Sequence, residues 1–74
     1  MPKIPVVRSK EAVRALEKAG FIHIRQKGSH LQMKRGNLLV TIPLHTLDLS
    51  TETLRSILRQ AKLTVEEFRA FLKS

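Results

Sequence analysis

Two glycines, Gly28 and Gly36, separate three short runs of β-forming residues, and this spacing is what most narrows the folds open to the chain. Phe21-Ile22-His23-Ile24 precedes the first and Leu31-Gln32-Met33 follows it. Both runs have the aromatic, β-branched or alternating character of strands. Glycine reaches positive φ without steric cost, so Gly28 is the natural pivot of a hairpin bend. Gly36-Asn37 is a two-residue link of the kind that favours primed turns. These signals predict strands over about 21–26, 29–35 and 38–42, the last ended by Pro43, which has no N–H for the ladder. Three consecutive strands on short links make an antiparallel meander. In the second strand Leu31 and Met33 alternate with His30, Gln32 and Lys34, so one face is core and the other carries the imidazole and the ammonium.

Helical patterns flank the meander. Pro2 and Pro5 keep the start extended, and Val6-Val7 serves as a lead-in. Ser9 is the expected N-cap of a first helix with Glu11 in its first turn, an apolar face of Ala12, Val13, Leu16 and Ala19, and a stop at Gly20. Its Lys10, Arg14 and Lys18 recur every four residues on another face and, given the net charge, are candidates to grip backbone phosphates. Ser50 or Thr51 caps a second helix, whose Leu54, Ile57, Leu58 and Ala61 follow the i, i+3, i+4, i+7 template. A capping box of Thr64 and Glu67, with Leu63 stapled to Phe68, opens a short third helix. The expected architecture is α+β, a single domain over 1–74: a three-stranded antiparallel sheet with the helices packed on one face and a short C-terminal helix.

Composition bears on the ligand. The chain has 14 Lys and Arg against 6 Asp and Glu, a net +8, which points to a polyanionic partner. No acid occurs between Glu17 and Asp48, while Lys18, Arg25, Lys27, Lys34 and Arg35 do, so the basic field centres on the strands and their bend. The absence of cysteine excludes disulfides and thiolate metal sites and fits a cytoplasmic protein. His23, His30 and His45 lack the close spacing of a preformed zinc site, so neither metal nor cofactor is expected. No apolar run reaches signal-peptide or membrane-span length, and no Trp or Tyr is present to seat the chain in a membrane interface.

Arg25-Gln26-Lys27-Gly28-Ser29-His30 gathers two cations, an amide, a hydroxyl and an imidazole without a competing carboxylate, a composition suited to chemistry on a phosphodiester. An imidazole titrates near working pH and suits either proton role. Lys27 and Arg25 would hold the phosphate, with Ser29 and the Gly28 N–H as donors to its oxygens and Lys34 nearby. Taken alone, a strand histidine beside a turn is more often an exposed polar residue than a catalyst. His23 reads as structural or surface, and His45 is a second proton-transfer candidate by residue type only. The three phenylalanines all fall at core positions, so stacking of bases on exposed rings is not expected. A DNA-binding helix-turn-helix over 54–72 is disfavoured, because Glu66 and Glu67 would stand where phosphate and base contacts are made.

Four spaced blocks carry a family resemblance: Ala-Gly-Phe at 19–21, Arg-Gln-Lys-Gly-Ser-His at 25–30, Val-Thr-Ile-Pro-Leu-His at 40–45 and Thr-Leu-Arg-Ser-Ile-Leu-Arg-Gln-Ala at 53–61. Together they resemble the HicA toxin family of small prokaryotic messenger-RNA interferases, over about 9–72. The resemblance implies a fold similar to a double-stranded-RNA-binding domain, of α-β-β-β-α order. It also implies metal-independent cleavage of mRNA with the histidine of the Gly-Ser-His block, His30, as the catalytic residue, and a HicB-type antitoxin covering the site. A non-catalytic RNA-binding module is the alternative. The chain departs from the family pattern at Glu52 and Lys62, where members commonly carry glycine at the entry and exit of the second helix.

Overall fold

The computed structural model describes residues 6–44 and 48–74. The extended start expected at Pro2 and Pro5, and His45, lie outside them. In chain order the elements are α1 (Ser9–Lys18), β1 (Ile22–Lys27), β2 (His30–Arg35), β3 (Leu38–Pro43), α2 (Thr51–Ala61) and α3 (Val65–Lys73). The strands form one antiparallel sheet in the order β1-β2-β3, as the two links require.

Gly28 and Gly36 stand at φ +60° and +58°, while neither Ser29 nor Asn37 has positive φ. A positive first central residue alone is the pattern of a type II′ turn, whose twist matches that of the flanking strands. The first turn is therefore Gly28-Ser29, one residue later than the expected Lys27-Gly28, and Lys27 pairs with His30 as the last rung of the hairpin.

Leu31, Met33, Val40 and Ile42 project from one face of β2 and β3 into a core completed by Leu16 of α1, Leu54, Ile57 and Leu58 of α2, and Phe68 of α3. Helices α1 and α2 contact β3, whereas α3 packs against α1. The helices thus lie on one side of the sheet, with the third held on the first. Among the described residues the opposite face is open, with Ile22 and Leu39 exposed on it. Gln60 closes the outer edge of β3: its Oε1 accepts from the Thr41 N–H at 3.1 Å, and its Nε2 donates to Ser56 Oγ.

The start of α1 differs from the expected Ser9 cap. Arg8 is the N-cap, in extended backbone, and its N–H donates to Glu11 Oε1 at 2.9 Å. Ser9 is buried, and its hydroxyl donates to the Pro43 carbonyl at 2.8 Å, tying α1 to the end of β3. A buried hydroxyl needs a partner, and here a residue 34 positions away outweighs the local capping preference. Beside it Val7 is buried and Val6 exposed, with the Leu49 N–H donating to the Val7 carbonyl at 2.9 Å.

Helices α1 and α2 end in the same way. In α1 the Gly20 N–H donates to the Glu17 carbonyl and the Phe21 N–H to the Leu16 carbonyl, a Schellman motif with Gly20 at φ +100°. In α2 the Lys62 N–H donates to the Arg59 carbonyl and the Leu63 N–H to the Leu58 carbonyl, with Lys62 at φ 55° and ψ 40°. Lys62 is the one non-glycine residue with positive φ among those described. Glu52, the other departure from the family pattern, lies in the first turn of α2, where a carboxylate favours the helix dipole. Ser50 caps that helix, accepting from the Thr53 N–H, and the Thr64–Glu67 capping box of α3 has both of its bonds.

Arg35 leaves the basic field proposed for the strands. Its Nη1 donates to the Ala19 carbonyl at 2.7 Å, and its guanidinium lies 5.4 Å from the Phe21 ring centroid. It neutralises the C-terminal carbonyls of α1 and stacks on a core ring.

Candidate functional site

Directly paired strand residues share a face. Lys27 pairs with His30, Arg25 with Gln32 and Ile22 with Lys34 on β1–β2, while His30, Gln32 and Lys34 pair with Pro43, Thr41 and Leu39 on β2–β3. Since Leu31 and Met33 face the helices, all of these residues face the open side. His30, Arg25, Lys27 and Lys34 are exposed there. No carboxylate occurs anywhere on the three strands, so an anion meets three cations and an imidazole on one surface.

A β-bulge makes this convergence possible. Between His23 and Arg25 the register slips by one residue, and Ile24 is the extra one. His23, opposite Met33, faces the helices. Uninterrupted alternation would have sent Arg25 and Lys27 to the same side. The slip transfers both to the open face, beside His30, and leaves Gln26 facing the helices opposite Leu31. Periodicity offers no signal for a bulge here; only the partner strand reveals it.

Gly28 and Ser29 form the turn between Lys27 and His30. Gly28 has open space around its α-carbon, and its carbonyl accepts from Gln26 Nε2 at 3.1 Å. The Ser29 carbonyl accepts from the Leu44 N–H at 2.6 Å, which anchors the chain beyond β3 to the hairpin tip.

The α1 cations are placed elsewhere. Lys10 and Arg14 line a groove of about 520 Å3 on the helix side of β1, together with Arg8, Val13, Glu17, His23, Gln26, Leu31 and Leu44. At its far end His23 Nε2 lies 3.1 Å from Glu17 Oε2, joining β1 to α1. Lys18, two turns and about 12 Å along the helix axis from Lys10, donates to the Ser74 carbonyl at the α1–α3 junction. Of the residues singled out from the sequence, His30, Arg25, Lys27 and Lys34 therefore come together with the turn residues Gly28 and Ser29. Lys10 and Arg14 stand around the sheet edge, and Lys18 is remote. Arg8, a groove residue, carried no motif that would have marked it, and Gln26 was marked only as part of the Arg25–His30 stretch.

No cluster of metal-ligating side chains occurs among the described residues, and none of their helices is long and apolar enough to cross a membrane. Phe21 and Phe68 are buried and Phe71 is packed against the core, so the open face has no aromatic platform. A family model described as the HicA toxin of bacterial toxin–antitoxin systems matches residues 9–63. No curated protein matches the chain.

Proposed function

The chain belongs to the HicA toxin family of bacterial toxin–antitoxin systems, and we propose that it acts in the cytoplasm as a metal-independent endoribonuclease that cleaves mRNA. Its membership makes it the toxin of such a module with a cognate antitoxin; the substrate, the chemistry and a HicB-type antitoxin are the proposed part. The supporting observation is the exposed His30 set opposite Lys27 on a carboxylate-free sheet face.

In this mechanism the His30 imidazole takes the proton from a ribose 2′-hydroxyl. The 2′-oxygen attacks the adjacent phosphorus, and the bond from phosphorus to the 5′-oxygen breaks as that oxygen takes a proton from solvent. The products are a 2′,3′-cyclic phosphate and a 5′-hydroxyl. Directly opposed β residues have β-carbons about 5 Å apart, so the Lys27 ammonium reaches a phosphate that His30 serves. Arg25, two rungs further on the same face, offers a fork to the same or the next phosphate. The Gly28 N–H and the Ser29 hydroxyl are candidate donors to the charge that develops on the phosphoryl oxygens. Lys34 extends the cationic track along the strand.

The antitoxin is expected to be acidic where it meets this face, because covering three cations without partners is costly. Incubation of chelator-treated protein with RNA tests the reading. Cleavage that is retained with chelator and lost in His30→Ala, with the fold intact, is the expected result. A non-catalytic RNA-binding module would share every cation and need nothing of His30, so RNA binding without cleavage by the parent would establish that alternative instead.

A further inference from the structure

From the groove between α1 and β1 we infer that the protein holds one unpaired nucleotide next to the scissile phosphate, with the base on the apolar floor and its phosphate on the α1 cations. The inference rests on RNA being the substrate and names the form of RNA that is bound. At about 520 Å3 the groove is of ligand-pocket size. Val13, Leu31 and Leu44 give it an apolar floor, and Arg8, Lys10 and Arg14 supply cations along the α1 side. A flat ring that can lie face-down on the apolar floor and carries an anionic group fits this arrangement, and a nucleotide supplies both in its base and its phosphate. Its one carboxylate, Glu17, is engaged by His23 at the far end, which leaves the cationic end the more favourable for phosphate. The Gln26 amide, whose Nε2 already donates to the Gly28 carbonyl, keeps its Oε1 as an acceptor for a base edge.

Connectivity joins the groove to the proposed chemistry. Leu44 lines the groove and its N–H donates to the Ser29 carbonyl, one residue from His30. Gln26 is the neighbour of Lys27, which pairs with His30. A strand crossing the open face at His30 would reach the groove around the hairpin tip, where Gln26 and Leu44 stand. A base-paired residue cannot do this without leaving its helix. The groove therefore selects single-stranded or unwound RNA, although the fold resembles a duplex binder.

The test measures binding by the full chain in a His30→Ala background, which keeps the RNA intact. The probes are a short unstructured RNA oligonucleotide and the same sequence as a duplex. Filling the groove with Val13→Phe, and reversing charge with Lys10→Glu, should each weaken single-strand binding about tenfold. Val13→Phe should leave duplex binding within twofold. Unchanged single-strand affinity in both variants overturns the inference, and so does an equal loss for single strand and duplex in Val13→Phe. If Val13→Phe fails to fold, methyl resonances of Val13, Leu31 and Leu44 in the parent are followed on addition of adenosine or uridine 5′-monophosphate. Shifts at these methyls support the site; no shift, or a response only to an oligoglutamate peptide, overturns it. Cleavage indifferent to His30→Ala would refute the catalytic role, and the binding comparison is then made with the same oligonucleotides carrying 2′-O-methyl riboses, which lack the attacking hydroxyl.

Discussion

Lys27 and His30 face each other as the last cross-strand pair of the β1–β2 hairpin, both exposed on the side of the sheet that none of the described helices covers. If His30 moves the proton and Lys27 holds the phosphate, the two substitutions have different signatures. His30→Ala should lower single-turnover cleavage by about 10²–10⁴ with little change in RNA affinity. Lys27→Ala should lower affinity as well as rate, and Lys27→Arg should restore most of the affinity. Both side chains are exposed, so stability should stay within about 0.5 kcal/mol of the parent. Cleavage and thermal melting measured on the same preparations check this.

Gly28 and Gly36 occupy the first position of equivalent turns at nearly the same φ, and an added β-carbon would meet nothing at either. Gly28→Ala and Gly36→Ala should therefore each cost about 1 kcal/mol through backbone strain alone. Their effects on cleavage should diverge. Only the first turn sets Lys27 against His30, so Gly28→Ala should lose activity well beyond Gly36→Ala. Denaturant unfolding beside cleavage rates would show it, and equal activity losses would count against the hairpin tip as the site.

Lys62 holds a left-handed conformation in the role that Gly20 fills at the end of α1. Lys62→Gly should stabilise the domain by about 1 kcal/mol, which for a chain of this length raises the melting temperature by about 4–8 °C. Gly20→Ala should destabilise it by more than the turn glycines do. It is strained at φ +100°, and its new β-carbon would lie 3.2 Å from Arg35 Cδ. Calorimetry of the two variants tests the comparison.

Phe68 is fully buried although it lies beyond the 9–63 segment shared with the family. Phe68→Ala should remove about 3–5 kcal/mol, a large share of the stability of a domain this small. Thr64→Ala, which breaks one bond of the capping box, should cost about 1 kcal/mol. Urea midpoints would rank the two.

Single-stranded RNA affinity should fall with salt at a slope of about 0.7 per phosphate neutralised. Lys27→Ala and Lys10→Ala should each reduce that slope by about one such unit. Lys18→Ala should leave it unchanged, because Lys18 is held at the α1–α3 junction by the Ser74 carbonyl. Titrations across a salt series measure all three.

The element order, both hairpin turns, the α3 capping box and the core stripes of α2 and β2 were legible in the residues themselves. Each depends on neighbours within about one turn of helix or one rung of ladder, and Gly28, Thr64 and Leu54 speak for their own surroundings. The candidate site was legible in part. Alternation with Leu31 and Met33 put His30 and Lys34 on one face, but nothing in the residues placed Arg25 and Lys27 there with them.

What the residues could determine alone is local: where the chain bends, where helices start and stop, and which side of a helix or strand is apolar. Tertiary structure decided the rest. The slip at Ile24 that turns Arg25 and Lys27 toward His30 exists only relative to β2. Ser9 gives up its capping role for the Pro43 carbonyl, and Arg35 leaves the other strand cations for Ala19 and Phe21. In each case a buried or charged group is satisfied by a partner distant along the chain. Such a partner is present only once the fold has closed, so no reading of neighbouring residues could have supplied it.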